Sequence, residues 1–309
     1  MLSRVAARIY WMSRYLERAE NTSRLLSVYG QLLLDLPAEA GLGWGVPLEI
    51  LGLEAPWREA RGASHSDELH FLVAGPSNSV SMLASLNQAR ENARTSRDVM
   101  PSEAWQAVNE LHLYAEQALP QVSHSHGTSA LTDVVRRCHE ISGIIEGGLS
   151  HGPAYQFVRL GRFLERADMA SRMIDVAASI MMAGREELQH HRSTIWRAVL
   201  RALSAYQMYR QYVRRRIDGL DVLGFLLRDS AFPRAVLHCV DQLDGAAACL
   251  PRPEATRREV ARLRSRLDSF DLAAADYAQL HRFIDDLQVD FAALDQAVFE
   301  TWLNPVRVA

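Results

Sequence analysis

The sequence RYLERAENTSRLLSV at residues 14–28 aligns without gaps on RFLERADMASRMIDV at residues 162–176. Eight of the fifteen positions are identical, and the two copies lie 148 residues apart in a chain of 309. Chance can match two charged helices at a few positions, but it explains poorly a run of this length near the midpoint. The repeat therefore predicts a single helical domain over residues 1–309, built from two related halves at about 1–150 and 151–309. We expect the two repeated helices to pack near one another, related by an approximate two-fold axis.

The rest of the chain is also typical of helices. Apolar side chains recur with the 3.6-residue period along most of its length, and alternating runs that would indicate strands are absent. The pattern predicts an all-α multi-helix bundle with long helices at about 3–35, 78–99, 101–119, 129–150, 153–182, 193–216, 233–250, 254–268 and 275–302. Local signals mark some of the ends: we expect Pro153 and Pro233 in first turns, Ser193 as an N-cap and Gly184 as a stop.

The segment at residues 36–75 differs from its surroundings. It is rich in glycine and proline and contains Trp44 and Trp57. Long connections of this kind are often functional. The composition predicts an ordered connection with one or two short helices.

In each copy of the repeat, charged and polar residues form one stripe, because they are spaced three and four positions apart. The first stripe is Arg14, Glu17, Asn21 and Arg24, and the second is Arg162, Glu165, Met169 and Arg172. Tyr10 and Val28 lie on the same line as Glu17, and valines flank Glu165 in the same way. A solvated face would stay polar along its length. We therefore expect Glu17 and Glu165 to be buried and paired with arginines, Arg18 and Arg166 among them, because unpaired buried charges are too costly.

Two explanations of these buried charges remain open. They form a structural clamp between the two helices, or they form a polar pocket in which arginines hold an anionic ligand. Fixing the register of packed elements is the best-attested use of buried ionic groups, which favours the clamp.

A third arginine-rich stretch surrounds Arg90, Arg94 and Arg97, which share one face of the helix predicted over 78–99. This face is either a solvated stripe or a third wall of the same interior. In the second case the interior is strongly positive and suits carboxylate or phosphate. The residues expected to bind a ligand are Arg14, Glu17, Arg18, Asn21, Arg24, Arg90, Arg94, Arg97, Arg162, Glu165, Arg166 and Arg172.

Composition excludes several classes of function. The formal net charge is −3, whereas nucleic-acid-binding domains are normally basic, so we expect no nucleic-acid partner. All 34 basic residues are arginine, which excludes Schiff-base and P-loop lysines. Three cysteines without short paired spacing indicate reduced thiols. The N-terminus does not look like a signal peptide and no run of 18 apolar residues is present, so we expect a cytoplasmic protein without membrane contact.

Two patterns in the sequence contain residue types that can bind a metal. Two pairs of carboxylates could hold a divalent ion between the repeat helices: Glu17 with Glu20, and Glu165 with Asp168. The adjacent arginines make neutralisation within the motif the better explanation. Glu187 and His190 have the Glu-x-x-His spacing of di-iron bundles, which need two such motifs where the chain has one. We therefore expect neither a metal nor a cofactor.

Four motifs in order resemble the bacterial alpha-E family, helical proteins named for their Glu-Arg motif. They are RYLERAENTSR at 14–24, ARENARTSRD at 89–98 with SEAW at 102–105, RFLERADMASR at 162–172, and VLGFLLRDSAFPRAV at 222–236. The resemblance runs from about residue 3 to about 300. The second Glu-Arg motif departs from the first at Met169, which stands opposite Asn21. If Asn21 contacts a ligand, the two halves are not equivalent.

The resemblance also implies a function and partners. Family members are typically encoded beside, or fused to, circularly permuted ATP-grasp and transglutaminase-like proteins. This implies an accessory or substrate- and partner-binding subunit of a peptide-synthesis or peptide-modification system that acts with an ATP-grasp-type amide ligase. One alternative is an enzyme of peptide or amino-acid modification, with Glu17 or Glu165 as general base. A second alternative is a purely structural scaffold. No catalytic residue is assigned, and the sequence leaves the oligomeric state open.

Overall fold

Two long helices lie side by side at the centre of the fold, α1 (Ser3–Asp35) and α8 (Pro153–Met182), which carry the two copies of the repeat. Their backbones approach closely at Gly161, where an added Cβ would collide with the carbonyl oxygen of Tyr10. The absence of a side chain at Gly161 therefore permits the crossing. The prediction that the two Glu-Arg helices pack against each other is confirmed.

A computed structural model describes residues 1–61, 67–124, 128–182 and 190–304. Gly184 and Glu187 lie outside the described residues. Within them the protein is all-α, as the sequence predicts, and has no strand. The remaining helices are α2 (Gly45–Leu51), α3 (Glu54–Arg61), α4 (Glu68–Ala74), α5 (Met82–Arg94), α6 (Ser102–Ala118), α7 (Thr128–Gly148), α9 (Arg192–Ala202), α10 (Tyr206–Tyr212), α11 (Gly219–Arg228), α12 (Val236–Ala248), α13 (Glu254–Ser269) and α14 (Tyr277–Val298).

The helices around α1 and those around α8 pack in the same order. Helix α1 contacts α5 and α7, α6 lies between those two, and α4 packs on α5. Helix α8 contacts α12 and α14, α13 lies between those two, and α11 packs on α12. In addition, α2 from the first half packs on α8, and α9 from the second half packs on α1. The two-fold axis and the division into halves stay predictions.

Several local predictions were wrong. The helix predicted over 193–216 is interrupted, because α9 ends at Ala202 and Ser204 adopts a left-handed conformation with φ 53° before α10. His191, not Ser193, occupies the N-cap position of α9. Where it is described, the segment 36–75 forms three short α-helices instead of one or two.

The region before α12 also differs from the prediction. Helix α11 was not expected; its N-cap Asp218 accepts a hydrogen bond from the amide of Leu220 at 2.9 Å. Pro233 precedes α12 without lying in its first turn, because α12 begins at Val236. A short loop that contains Arg234 therefore connects α11 to α12.

The three cysteines are free thiols, as the sequence predicts. Cys138 and Cys239 are buried free thiols, and Cys249 is an exposed one. Burial raises the pKa of both buried thiols, for Cys239 to about 12. Among the described helices, none combines the length and apolar composition that crossing a bilayer requires.

Candidate functional site

The two Glu-Arg motifs exchange ion pairs where α1 crosses α8. Glu17 on α1 accepts two hydrogen bonds from Arg166 on α8, at 2.7 and 2.8 Å. Glu165 on α8 accepts two from Arg18 on α1, at 2.5 and 3.1 Å. Both glutamates are 3% exposed, so the prediction that they are buried and paired is confirmed. Each motif therefore supplies the carboxylate for the other motif's arginine, in the bidentate geometry that guanidinium favours.

A second arginine strengthens the pairing at Glu165. Arg14 donates from Nε to Glu165 at 2.7 Å and from Nη1 to Asp295 on α14 at 2.7 Å. The hydroxyl of Tyr10 donates to the same carboxylate of Asp295. Burial would raise the pKa of Glu165, but Arg14 and Arg18 outweigh it and hold that pKa below its usual value. Glu165 is consequently ionised and a weak base.

On the side of Glu17, the network is completed by an arginine from far along the chain. Arg234 lies in the loop before α12 and donates to Glu17 at 3.1 Å and to the side-chain oxygen of Asn21 at 2.8 Å. It also pairs with Glu20, which Arg24 and His139 contact as well. Burial would raise the pKa of Glu20, but Arg234 and its other cationic neighbours hold it far below its usual value. On this side of the network, the guanidinium of Arg234 therefore lies between Glu17, Glu20 and Asn21.

Among the described residues, no arginine takes the place of Arg234 on the side of Glu165. Asp168 stands where the first copy has Glu20, and among the described residues Arg172 at 3.0 Å is its one ion-pair partner. Burial raises the pKa of Asp168 even though Arg172 opposes the shift. A cleft of about 220 Å³ opens here, which we call the Asp168 cleft. Its polar lining includes Arg18, Thr22, Asp168 and Arg172, and its apolar lining includes Leu51, Leu53, Leu72, Val80 and Met169.

Arg162, the counterpart of Arg14, lines a small enclosed cavity together with Glu17 and Glu20. Among the described residues, no carboxylate lies within ion-pair distance of it, although Arg14 has two. Burial lowers the pKa of Arg162, and the nearby positive charge of Arg166 adds to this effect. The two copies of the motif therefore differ in their environment.

The third arginine stretch does not reach this interior. Arg90 donates to Asn109 on α6 at 2.8 Å, and Arg94 pairs with Glu91 on the surface. Helix α5 ends at Arg94, so Arg97 lies in the short 3₁₀ turn at Arg97–Val99 and is exposed. The expected common face was wrong, because the helical period on which it depended stops before Arg97.

Sequence reasoning missed four members of the network: Tyr10 as a hydrogen-bonding group, His139, Arg234 and Asp295. Arg234 lies between apolar residues in FPRAV, and Asp295 lies in the apolar run FAALDQAVF. An isolated charge in an apolar run is the signal that would have marked both, because such a charge needs a partner when buried.

Within the described part of the chain, one group outside the network has the ligand types of a metal site. The imidazole Nδ1 of His281 lies 2.8 Å from Asp175, and its Nε2 lies 3.5 Å from Asp285. The hydrogen bond with Asp175 raises the pKa of His281. Because each ring nitrogen faces a carboxylate, the arrangement fits a protonated histidine that bridges two acids.

These features define an all-α protein with a buried, reciprocal Glu-Arg network. The chain belongs to the Alpha-E family, described as "A predicted alpha-helical domain with a conserved ER motif", which it matches over residues 1–303. No solved structure matches the chain.

Curated relatives share the resemblance but are longer. The chain is 24% identical over 275 residues to the uncharacterized proteins Mb2597 of Mycobacterium bovis and MT2643 of Mycobacterium tuberculosis, with 82% of this chain and 30% of each relative covered. It is 23% identical over 275 residues to the uncharacterized protein Rv2567 of Mycobacterium tuberculosis, with the same coverage. The chain therefore spans less than a third of the length of these relatives.

Proposed function

We propose that this protein is a cytoplasmic accessory subunit that binds a substrate or partner in a peptide-synthesis or peptide-modification system. Its principal partner in this proposal is a circularly permuted ATP-grasp amide ligase, and a transglutaminase-like protein is a second candidate. The observation that carries the proposal is the contrast between the two sides of the Glu-Arg network. Arg234 occupies the place beside Glu17 and Glu20, whereas Glu165 and Asp168 border the Asp168 cleft.

The geometry favours binding over catalysis at the network itself. A general base needs an oxygen within reach of a substrate proton and a pKa near the operating pH. Both oxygens of Glu17 and both of Glu165 already accept hydrogen bonds from arginines. The pKa of Glu165 is also lowered. These observations support a clamp that holds α1 and α8 in place and so shapes the neighbouring cleft.

The lengths of the relatives give independent support. In Mb2597 and its counterparts, the matching segment accounts for 30% of a much longer chain. A domain that acts next to other domains is expected in such a setting.

The decisive experiment combines this protein with the ATP-grasp protein of the same organism. Complex formation is measured by calorimetry, and ATP-dependent amide formation is measured with and without this protein. We expect the two proteins to form a complex. When the peptide substrate is limiting, we expect ligation to be at least fivefold faster with this protein than without it. Amide chemistry by this protein alone would favour the enzyme alternative, and a complex without any change in rate would favour the scaffold.

A matched pair of variants tests whether the Asp168 cleft is involved. Val80 lines the cleft and is 40% exposed, whereas Val289 is 67% exposed on α14. We expect Val80→Arg to abolish the increase in rate and Val289→Arg to keep it. Equal behaviour of the two variants would contradict a role for the cleft.

A further inference from the structure

The loops that precede α5 and α12 occupy corresponding places against the central pair of helices. Helix α5 packs on α1 and helix α12 packs on α8. Arg234 stands two residues before the start of α12, and Val80 stands two residues before the start of α5. Arg234 extends to the acidic residues of α1, while Val80 lines the cleft beside Asp168 of α8. Val80 is therefore the positional counterpart of Arg234.

This correspondence identifies what differs between the two sides. Beside Glu17 and Glu20, the guanidinium of Arg234 is buried at 7% exposure and supplies a positive charge. Beside Glu165 and Asp168, the corresponding position carries the uncharged side chain of Val80. The raised pKa of Asp168 and the lowered pKa of Glu20 agree with this difference in local charge. Among the described residues, the side of Asp168 therefore has one arginine fewer than the side of Glu20.

We propose that the Asp168 cleft binds a primary ammonium group carried on an apolar body, as in an apolar amino acid or the amino-terminal residue of a peptide. The ammonium pairs with the carboxylate of Asp168, in the position that Arg234 takes on the other side. The proposal rests on the proposed function, because it names the ligand class of the same cleft.

Two features of the lining favour an ammonium on an apolar body over a second guanidinium. Asn21 accepts a hydrogen bond from Arg234, but its counterpart in the cleft is Met169, whose thioether is a weak acceptor. A guanidinium has five donors to satisfy and an ammonium has three. The hydroxyl of Thr22 and the carboxylate of Asp168 are acceptors in the lining, and the leucines offer a surface for an aliphatic side chain.

The same ammonium can come from two sources, which the guanidinium groups of Arg18 and Arg172 help to separate. A free amino acid carries a carboxylate next to its ammonium, and both arginines line the cleft where they can pair with it. The amino-terminal residue of a peptide has a neutral amide at that position. The ammonium requirement is common to both sources, and the carboxylate requirement belongs to the free amino acid.

The test uses the isolated protein and calorimetric titration with L-leucine, L-leucine amide, the peptide Leu-Gly-Gly and N-acetyl-L-leucine. We expect at least tenfold weaker binding of N-acetyl-L-leucine than of the tightest amine. Tightest binding of leucine identifies a free amino acid, and equal or tighter binding of the amide and the peptide identifies a peptide terminus. If none of the four binds, or if N-acetyl-L-leucine binds as tightly as the amines, the proposal is overturned.

Substitutions in the cleft test whether the amine binds there. Asp168→Asn removes the expected partner of the ammonium, and Val80→Arg introduces the guanidinium that the other half carries. We expect each to weaken amine binding at least tenfold, while Val289→Arg binds as the wild type does. Val80→Arg should also raise the melting temperature, because the new guanidinium pairs with Asp168. Unchanged amine binding in a folded Val80→Arg protein would overturn the proposal.

The outcome is separable from that of the proposed function, because no ligase is present in these titrations. Amine binding with neither complex formation nor an effect on ligation leaves the ligand class intact and removes the ligase partnership. An effect on ligation without amine binding supports the ligase partnership and overturns the proposed ligand class.

Discussion

The clamp at the centre of the fold predicts a large loss of stability when Glu165 is changed to glutamine. The substitution preserves shape but removes the negative charge that holds Arg14 and Arg18. Glu165 is 3% exposed, so its arginines keep their positive charge in a poorly solvated place. Breaking a buried pair of this kind costs about 3–5 kcal/mol. At roughly 2 °C per kcal/mol for a large domain, the melting temperature should fall by about 6–10 °C.

Chemical and thermal unfolding, followed by circular dichroism, provides the measurement. The surface pair of Glu91 and Arg94 supplies the control, because both side chains are more than half exposed and Glu91→Gln should leave the melting temperature unchanged. A double-mutant cycle with Arg18→Met isolates the pair from other effects. We expect a coupling free energy of about 0.5–3 kcal/mol between Glu165 and Arg18. A Glu165→Gln protein as stable as the wild type would refute the reasoning.

The pH dependence of stability follows from the same residue. The pKa of Glu165 lies below its usual value of 4.5 in the folded protein. A lowered pKa stabilises the fold above the unfolded pKa, and this contribution is lost as the pH falls through the folded pKa. Between pH 6 and pH 3, the wild type should therefore lose more unfolding free energy than Glu165→Gln. Parallel pH profiles of the two proteins would contradict this assignment.

Three further predictions address other parts of the fold. Arg234→Met leaves Glu17 and Glu20 with fewer partners, so it should lower the unfolding free energy by about 3–5 kcal/mol in denaturant titrations. Gly161→Ala should lower the unfolding free energy by at least about 3 kcal/mol or prevent folding, because the backbone of α1 blocks the new methyl group. A melting curve like that of the wild type would contradict the close crossing of the two helices. Cys249 should react with iodoacetamide in the native protein while Cys239 stays unmodified, as measured by mass spectrometry, because burial raises the pKa of Cys239 to about 12.

Local pattern was enough to predict the central helices and the burial of their glutamates. Helix α1 was predicted at its observed bounds, and so was α8. A charge inside an apolar stripe faces the core of any amphipathic helix, whatever the fold around it. Because a buried charge needs a partner, the pairing of Glu17 and Glu165 with arginines followed from the sequence as well.

The sequence by itself therefore determined an all-α protein in which two helices bury matching Glu-Arg motifs. Only the tertiary structure decided which arginines meet Glu17 and Glu165, because the contacts of these two glutamates join residues 147 to 217 positions apart. It also decided that Arg234 fills one side of the network while Val80 lines a cleft on the other. Both residues lie in loops, and the paths of these loops depend on how α5 and α12 pack against the central helices. The 3.6-residue period predicts helices and their buried faces, but it does not predict where a loop lies.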